Sequence, residues 1–99
     1  MGVKMASYYE CNITLLDDKE KCQKEIQEIN WSFSCIDNDI ILGKGIKCYA
    51  TYHYNEKYSK EIIIKEVNKF ADILISKGLN VIREKVELVI YDSKSSKIR

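Results

Sequence analysis

Two short segments of the 99-residue chain contain residue types that often take part in proton transfer or polar recognition. In each segment, one polar residue precedes and one follows a central residue: the segments are Asn12-Ile13-Thr14 and Thr51-Tyr52-His53. On an extended strand the two polar residues of a segment share one face. An imidazole exchanges protons near neutral pH, and hydroxyl and amide groups hydrogen-bond. If the two segments lie on neighbouring strands, His53, Asn12, Thr14 and Thr51 are candidates for a catalytic site.

This pair of segments resembles the His-x-Thr strands of two-histidine phosphoesterases, in which two imidazoles exchange protons with a phosphodiester. The resemblance implies a phosphoesterase-like activity that uses His53. The chain has a single histidine, and Asn12 stands where the other imidazole would be. An acid and a base cannot both be histidine unless a dimer supplies a second His53, so the sequence favours a binding protein over an enzyme.

Composition limits where the chain can act. Ninety-nine residues with 45% apolar content fit one domain with one core. Sixteen basic and 15 acidic residues leave a formal charge of +1, which gives no global attraction to nucleic acid or to an anionic membrane. The first ten residues, MGVKMASYYE, lack the apolar run that is typical of a signal peptide, and no stretch approaches the roughly 18 apolar residues that a membrane span requires. We therefore expect a cytoplasmic protein that does not bind a membrane.

The four cysteines are Cys11, Cys22, Cys35 and Cys48. Their spacing matches neither the close pairs of a zinc site nor a redox C-x-x-C motif. Free cysteine is often buried as a small apolar side chain. The sequence therefore predicts reduced core cysteines, no metal and no cofactor.

Alternating polarity predicts four strands, over about 7–16, 31–36, 46–54 and from about 81 onward. Glu84 breaks the alternation of the last strand, which indicates a bulge or a later start. Asp37-Asn38-Asp39 through Gly43-Lys44-Gly45 are typical of a turn between strands two and three.

Helical spacing predicts two amphipathic helices. The first covers about 18–29, with Asp17 and Glu20 as a carboxylate version of the capping box. The second follows the N-cap residue Ser59 and ends at Gly78, and its apolar stripe consists of Ile63, Val67, Phe70, Ala71 and Leu74.

The order βαββαβ predicts an α+β fold, most simply a ferredoxin-like sandwich. In that arrangement a four-stranded antiparallel sheet of order 4-1-3-2 carries both helices on one face. We expect residues 1–92 to form a single domain and residues 93–99 a flexible basic tail.

One sheet face then remains without helices, and strand parity assigns polar and aromatic side chains to it. The predicted binding face consists of Tyr8, Glu10, Asn12, Lys47, Tyr49, His53, Lys85, Glu87 and Tyr91, together with Thr14, Ser32, Ser34 and Thr51. An antiparallel sheet can leave such a face to water. Its tyrosines favour a contact surface instead, because tyrosine buries ring area while its hydroxyl stays hydrogen-bonded.

The main functional hypothesis is a small binding or regulatory domain that forms a homodimer. Either two such faces stack, or the edge strand 31–36 pairs with a second chain. A protein partner, or a small ligand at the dimer interface, fits the same surface.

Single-stranded nucleic acid is the alternative ligand for this face. Tyr8 and Tyr49 lie on the two central strands, where bases stack in RNA-recognition modules, and Lys47 and Lys85 could reach phosphates. Lys44-Gly45 resembles the start of the third-strand motif of that module. Ile46 and Cys48 stand where its stacking aromatics belong, so nucleic acid is the less favoured ligand.

Overall fold

The computed structural model describes residues 5–41 and 45–92, with side chains for 7–36 and 46–90. The described elements are β1 (Met5–Asp17), α1 (Lys19–Glu28), β2 (Ser32–Ile41), β3 (Gly45–Asn55), α2 (Lys60–Ser76) and β4 (Val81–Asp92). This is the predicted order. The predicted tail, residues 93–99, lies outside the described part of the chain.

The strands form one antiparallel sheet in the order β2-β3-β1-β4. Read from the other edge, this is the predicted order 4-1-3-2, so β1 and β3 are central while β2 and β4 are the edges. The chain is therefore a small α+β domain with a four-stranded antiparallel sheet and two helices. Of the helices in the described residues, neither has the length and apolar character needed to cross a membrane.

The core lies between one face of the sheet and the helices. Cys11, Ile13 and Leu15 of β1 are fully buried, as are Cys48 and Ala50 of β3. The same cluster contains buried residues of both helices, namely Cys22, Ile26, Ile63, Val67, Ala71 and Leu74. Because alternate residues of a strand point to opposite faces, the residues between these core positions face away from the helices.

The start of α1 corrects one prediction. Asp18, not Asp17, is the N-cap, and its carboxylate accepts a hydrogen bond from the Lys21 backbone N–H at 2.9 Å. Asp17 is still paired with Ile46 in the sheet, so the helix begins one residue later than predicted. The Asp17 carboxylate instead accepts from the Asn80 backbone N–H at 3.0 Å.

The predicted ends of α2 are confirmed. The Ser59 hydroxyl accepts from the Ile62 backbone N–H at 3.2 Å, and Gly78, just past the helix, has φ +89°. A positive φ strains residues that carry a Cβ, so glycine suits this place.

The turn predicted at Asp37-Asn38-Asp39 is wrong, because β2 continues through these residues to Ile41. After the Cys35–Cys48 pair, the register with β3 shifts to Ile40–Ile46. The extra residues of β2 are taken up in this irregularity rather than in a turn. Gly43 and Lys44 lie outside the described residues.

Strand β4 begins at Val81, so the later start predicted at Glu84 is wrong. A bulge is present, but it lies two residues before Glu84, which stays in register opposite Ile13 on the helix side. Thr14 pairs with Arg83 and Leu15 pairs with Val81, which leaves Ile82 as the extra residue. Beyond the bulge, Val86 packs against the core. Leu88 and Ile90 share its face but are 47% and 61% exposed, so the helices leave that end of β4 uncovered.

Candidate functional site

The sheet face turned away from the helices is called the open face below. Most of its described members carry hydroxyl, amide, aromatic or charged side chains, and two are apolar. They include Tyr8, Glu10, Asn12, Thr14, Leu16, Ser32, Ser34, Lys47, Tyr49, Thr51, His53, Asn55, Arg83, Lys85, Glu87 and Val89. Every residue of the predicted binding face whose side chain is described lies here. The backbone of Tyr91 belongs to β4, and its side chain lies outside the described part.

Strand register joins four polar residues in one row across the sheet. Ser32, Thr51, Asn12 and Lys85 are successive cross-strand partners on β2, β3, β1 and β4. At the centre of the row, the Thr51 hydroxyl donates a hydrogen bond to Asn12 Oδ1 at 2.9 Å. This bond fixes the amide orientation, so the Asn12 NH₂ group, which carries two donors, points to a defined side.

An aromatic pair lies next to this row. The rings of Tyr8 and His53 have centroids 4.7 Å apart with an interplanar angle of 38°. Tyr8 pairs in register with Asn55 and His53 pairs with Glu10, so the two rings meet diagonally across β1 and β3. The contact holds the exposed imidazole against a tyrosine ring instead of leaving it free in solvent.

The neighbouring row contains two carboxylates. His53, Glu10 and Glu87 are successive cross-strand partners on β3, β1 and β4. Lys85 and Glu87 form an ion pair of 3.3 Å within β4. Like charges directly opposite one another destabilise a strand pair, so the Lys85 ammonium offsets part of the repulsion between Glu10 and Glu87.

Thr14 stands apart from the other catalytic candidates. It is only 7% exposed although it lies on the open face, and its cross-strand neighbours are Tyr49 and Arg83. Thr14 is therefore less accessible from solvent than Asn12, Thr51 and His53.

The two tyrosines of the nucleic-acid hypothesis are well separated. Tyr49 is opposite Thr14, six residues along β1 from Tyr8 (14 − 8). At the rise of a strand, this is roughly 20 Å. Tyr8 and Tyr49 thus do not form a platform for two adjacent bases.

A shallow cleft of about 360 Å³ opens beside β2, lined by Asn30, Ser32, Thr51, Tyr52 and His53. Sequence parity did not assign Asn30 or Tyr52 to the site. Asn30 has φ +69° in the turn after α1, and asparagine directly after a helix is the signal that predicts such a conformation. Strand parity places Tyr52 on the helix side of β3, but Tyr52 also lines the cleft.

This arrangement suits hydrogen-bonded recognition better than proton transfer. The only imidazole is that of His53, and Asn12, which takes the place of a second one, accepts from Thr51. An amide does not exchange protons near neutral pH. The site as described offers hydroxyl, amide and aromatic groups for contact with another surface.

The cysteines lie apart from the open face. Burial, then the nearby Glu10 carboxylate, raises the pKa of Cys11 to about 11. Burial, then contact with Cys48, also raises the pKa of Cys22. Since the thiolate is the reactive and metal-binding form, these are structural thiols. Within 7–36 and 46–90, no group of three or more His, Cys, Asp or Glu side chains is placed to hold a metal ion.

Comparisons of the chain with protein families, with curated proteins and with solved structures found no match.

Proposed function

We propose that this chain is a small cytoplasmic binding domain that acts through its open face and associates with a second copy of itself. The sheet and helices of this domain fit a ferredoxin-like sandwich, in which one sheet face has no helix cover. The proposal treats that face as the functional surface and the helix-covered face as its scaffold.

One observation carries the proposal. The open face contains side chains already held in place by their neighbours: Asn12 by Thr51, and His53 by the ring of Tyr8. Groups that are fixed before binding lose less conformational freedom when a partner arrives. A face that only meets water needs no such order.

Self-association suits the composition of this face. Tyr49 and Tyr8 contribute ring area together with a hydroxyl, which is typical of interfaces that stay partly hydrated. The chain has a formal charge of +1, so two copies approach with little overall repulsion. Stacking two open faces about a twofold axis places the same residues on both sides of the contact.

The test is a sedimentation-velocity concentration series on the wild type and on Tyr49→Ala. We expect the variant to remain folded by circular dichroism and to associate about tenfold more weakly or worse, as for an aromatic anchor in an interface. Tyr58→Ala is the matched control, because Tyr58 is 45% exposed and precedes α2 on the other side of the domain.

An unchanged dissociation constant in Tyr49→Ala, or a wild type that stays monomeric at every concentration, would contradict the proposal. Two further assays separate the alternatives. Binding of a labelled single-stranded oligonucleotide that falls steeply with salt would replace it with nucleic-acid binding. Hydrolysis of a nitrophenyl phosphodiester that is lost in His53→Ala would replace it with the phosphoesterase hypothesis.

A further inference from the structure

The outer edge of β4 differs from the outer edge of β2. In the part of the chain that the structure describes, β4 pairs with β1 on one side, and no strand pairs with its other side. The chain has no proline to interrupt that edge.

Strand β2 is the other edge, but its register shifts between Cys35 and Ile40. Beyond the bulge at Ile82, β4 keeps one register with β1 from Arg83 to Asp92. Such an edge is a template for another strand.

The helix side of this edge is apolar and uncovered. Leu88 and Ile90 follow Val86 on the helix side, and Ile64 of α2 is a further exposed apolar residue. A groove of about 420 Å³ runs between α2 and β4, and its lining includes Ile64, Val86 and Lys60. Apolar side chains beside an open edge favour a partner that extends the sheet and covers them.

The charges of β4 are complementary to those of a second β4. When two copies pair antiparallel about Val86, Lys85 of each lies opposite Glu87 of the other, and Val86 lies opposite Val86. Pairing about Lys85 or about Glu87 would oppose identical charges instead. In this pairing Glu84 of each copy lies opposite Leu88 of the other. Glu84 also lines the groove of its own copy, together with Lys60 and Asn68.

The same pairing would relieve a like-charge contact within the chain. Glu87 is directly opposite Glu10 on β1, and Lys85 of its own strand is its ion-pair partner at 3.3 Å. The Lys85 of a second copy would supply another cation on the free side of Glu87. Charge pairs placed directly opposite in neighbouring strands stabilise the pairing.

We infer that the β4 edge is a docking site for the β4 strand of a second copy of this chain, antiparallel and with the twofold axis at Val86. The contact is isologous, so it closes after two copies. It joins two sheets into one of eight strands and puts both open faces on the same side. It goes beyond the proposed function, which concerns stacking of the face and not pairing of the edge.

The test is a charge exchange measured by sedimentation velocity. Lys85→Glu and Glu87→Lys each oppose like charges across the twofold axis, so we expect each to weaken edge association by at least about tenfold. The double variant restores opposite charges and should recover the wild-type association. Lys65→Glu, on the exposed surface of α2, is the charge-matched control.

Single variants that associate like the wild type, or a double variant that stays as weak as the single ones, would overturn this inference. Thermal melts exclude unfolding as the cause. Lys85 and Glu87 also lie on the open face, so recovery of association in the double variant is the readout that is specific to the edge, and Tyr49→Ala is the variant that is specific to the face. If Tyr49→Ala weakens association and the double variant does not recover, the edge inference is wrong. If the double variant recovers and Tyr49→Ala associates like the wild type, the face proposal is wrong.

Discussion

The two faces of strand β1 differ in burial and in the residues that they contact. On one face Cys11, Ile13 and Leu15 are fully buried beneath the helices. On the other face Tyr8 and Asn12, from the same strand, are half-buried and contact His53 and Thr51. Neighbouring residues of β1 therefore differ in role: one set packs the core, and the other belongs to the face for which we propose a binding function.

The largest expected effect is on the helix-covered face. Ile13→Ala removes a fully buried side chain and should lower the free energy of unfolding by about 2–5 kcal/mol, since it leaves a cavity in a packed core. Urea denaturation measures the change. Asn12→Ala, one residue away, should cost about 1 kcal/mol through its hydrogen bond. Equal losses of unfolding free energy at Ile13 and Asn12 would contradict the difference in stability between the two faces of β1.

A smaller effect is expected at alkaline pH. Burial, then the nearby Glu66 carboxylate, raises the pKa of Tyr54 from 10.0 to about 12. The folded state thus keeps the phenol proton where the unfolded state has lost it. The stabilisation of the folded state by the protonated Tyr54 phenol is complete below pH 10 and is lost as pH rises through about 12.

Thermal melts between pH 9 and 12 test this point. Tyr54→Phe removes the phenol and should flatten the fall in melting temperature above pH 10. An unchanged slope in Tyr54→Phe would show that the Tyr54 hydroxyl is as well hydrated as in the unfolded chain.

The smallest effect is expected on the open face. Thr51→Val removes the hydroxyl that donates to Asn12 Oδ1 and should cost about 1 kcal/mol of unfolding free energy. Thr51→Ser keeps the donor and should recover most of that loss in the same urea titration. A neutral Thr51→Val would mean that water replaces the bond without cost, and the claim that Asn12 is held in place would fail.

Much of the fold could be predicted because its determinants are local. The alternation around Ile13 and the stripe from Ile63 to Leu74 identify buried faces without knowledge of the partner element. Ser59 and Gly78 mark the ends of α2 through contacts and dihedral angles within one turn. Each of these predictions agrees with the structure.

The remaining features depend on contacts between distant residues. Strand parity assigns Leu88 and Ile90 to the helix side, but only the placement of α2 decides that they stay uncovered. Asp37 to Asp39 belong to β2 because pairing with β3 resumes beyond them.

The candidate site shows the same division. Parity alone assigns Asn12, Thr51 and His53 to one face. The burial of Thr14 and the place of Asn30 in the cleft depend on neighbouring strands and on a turn. A local pattern does not contain either.

The most direct test of the open face as a contact surface is NMR chemical-shift mapping of the uniformly ¹⁵N-labelled chain over a dilution series. If the face binds a second copy, concentration-dependent shifts should cluster at the Asn12 side-chain amide, the His53 imidazole and the backbone around Tyr49. Residues such as Tyr58 and Ile62, which are exposed on the helix side, should not shift. Shifts confined to the helix side, or none on the open face at concentrations where the protein associates, would contradict the account.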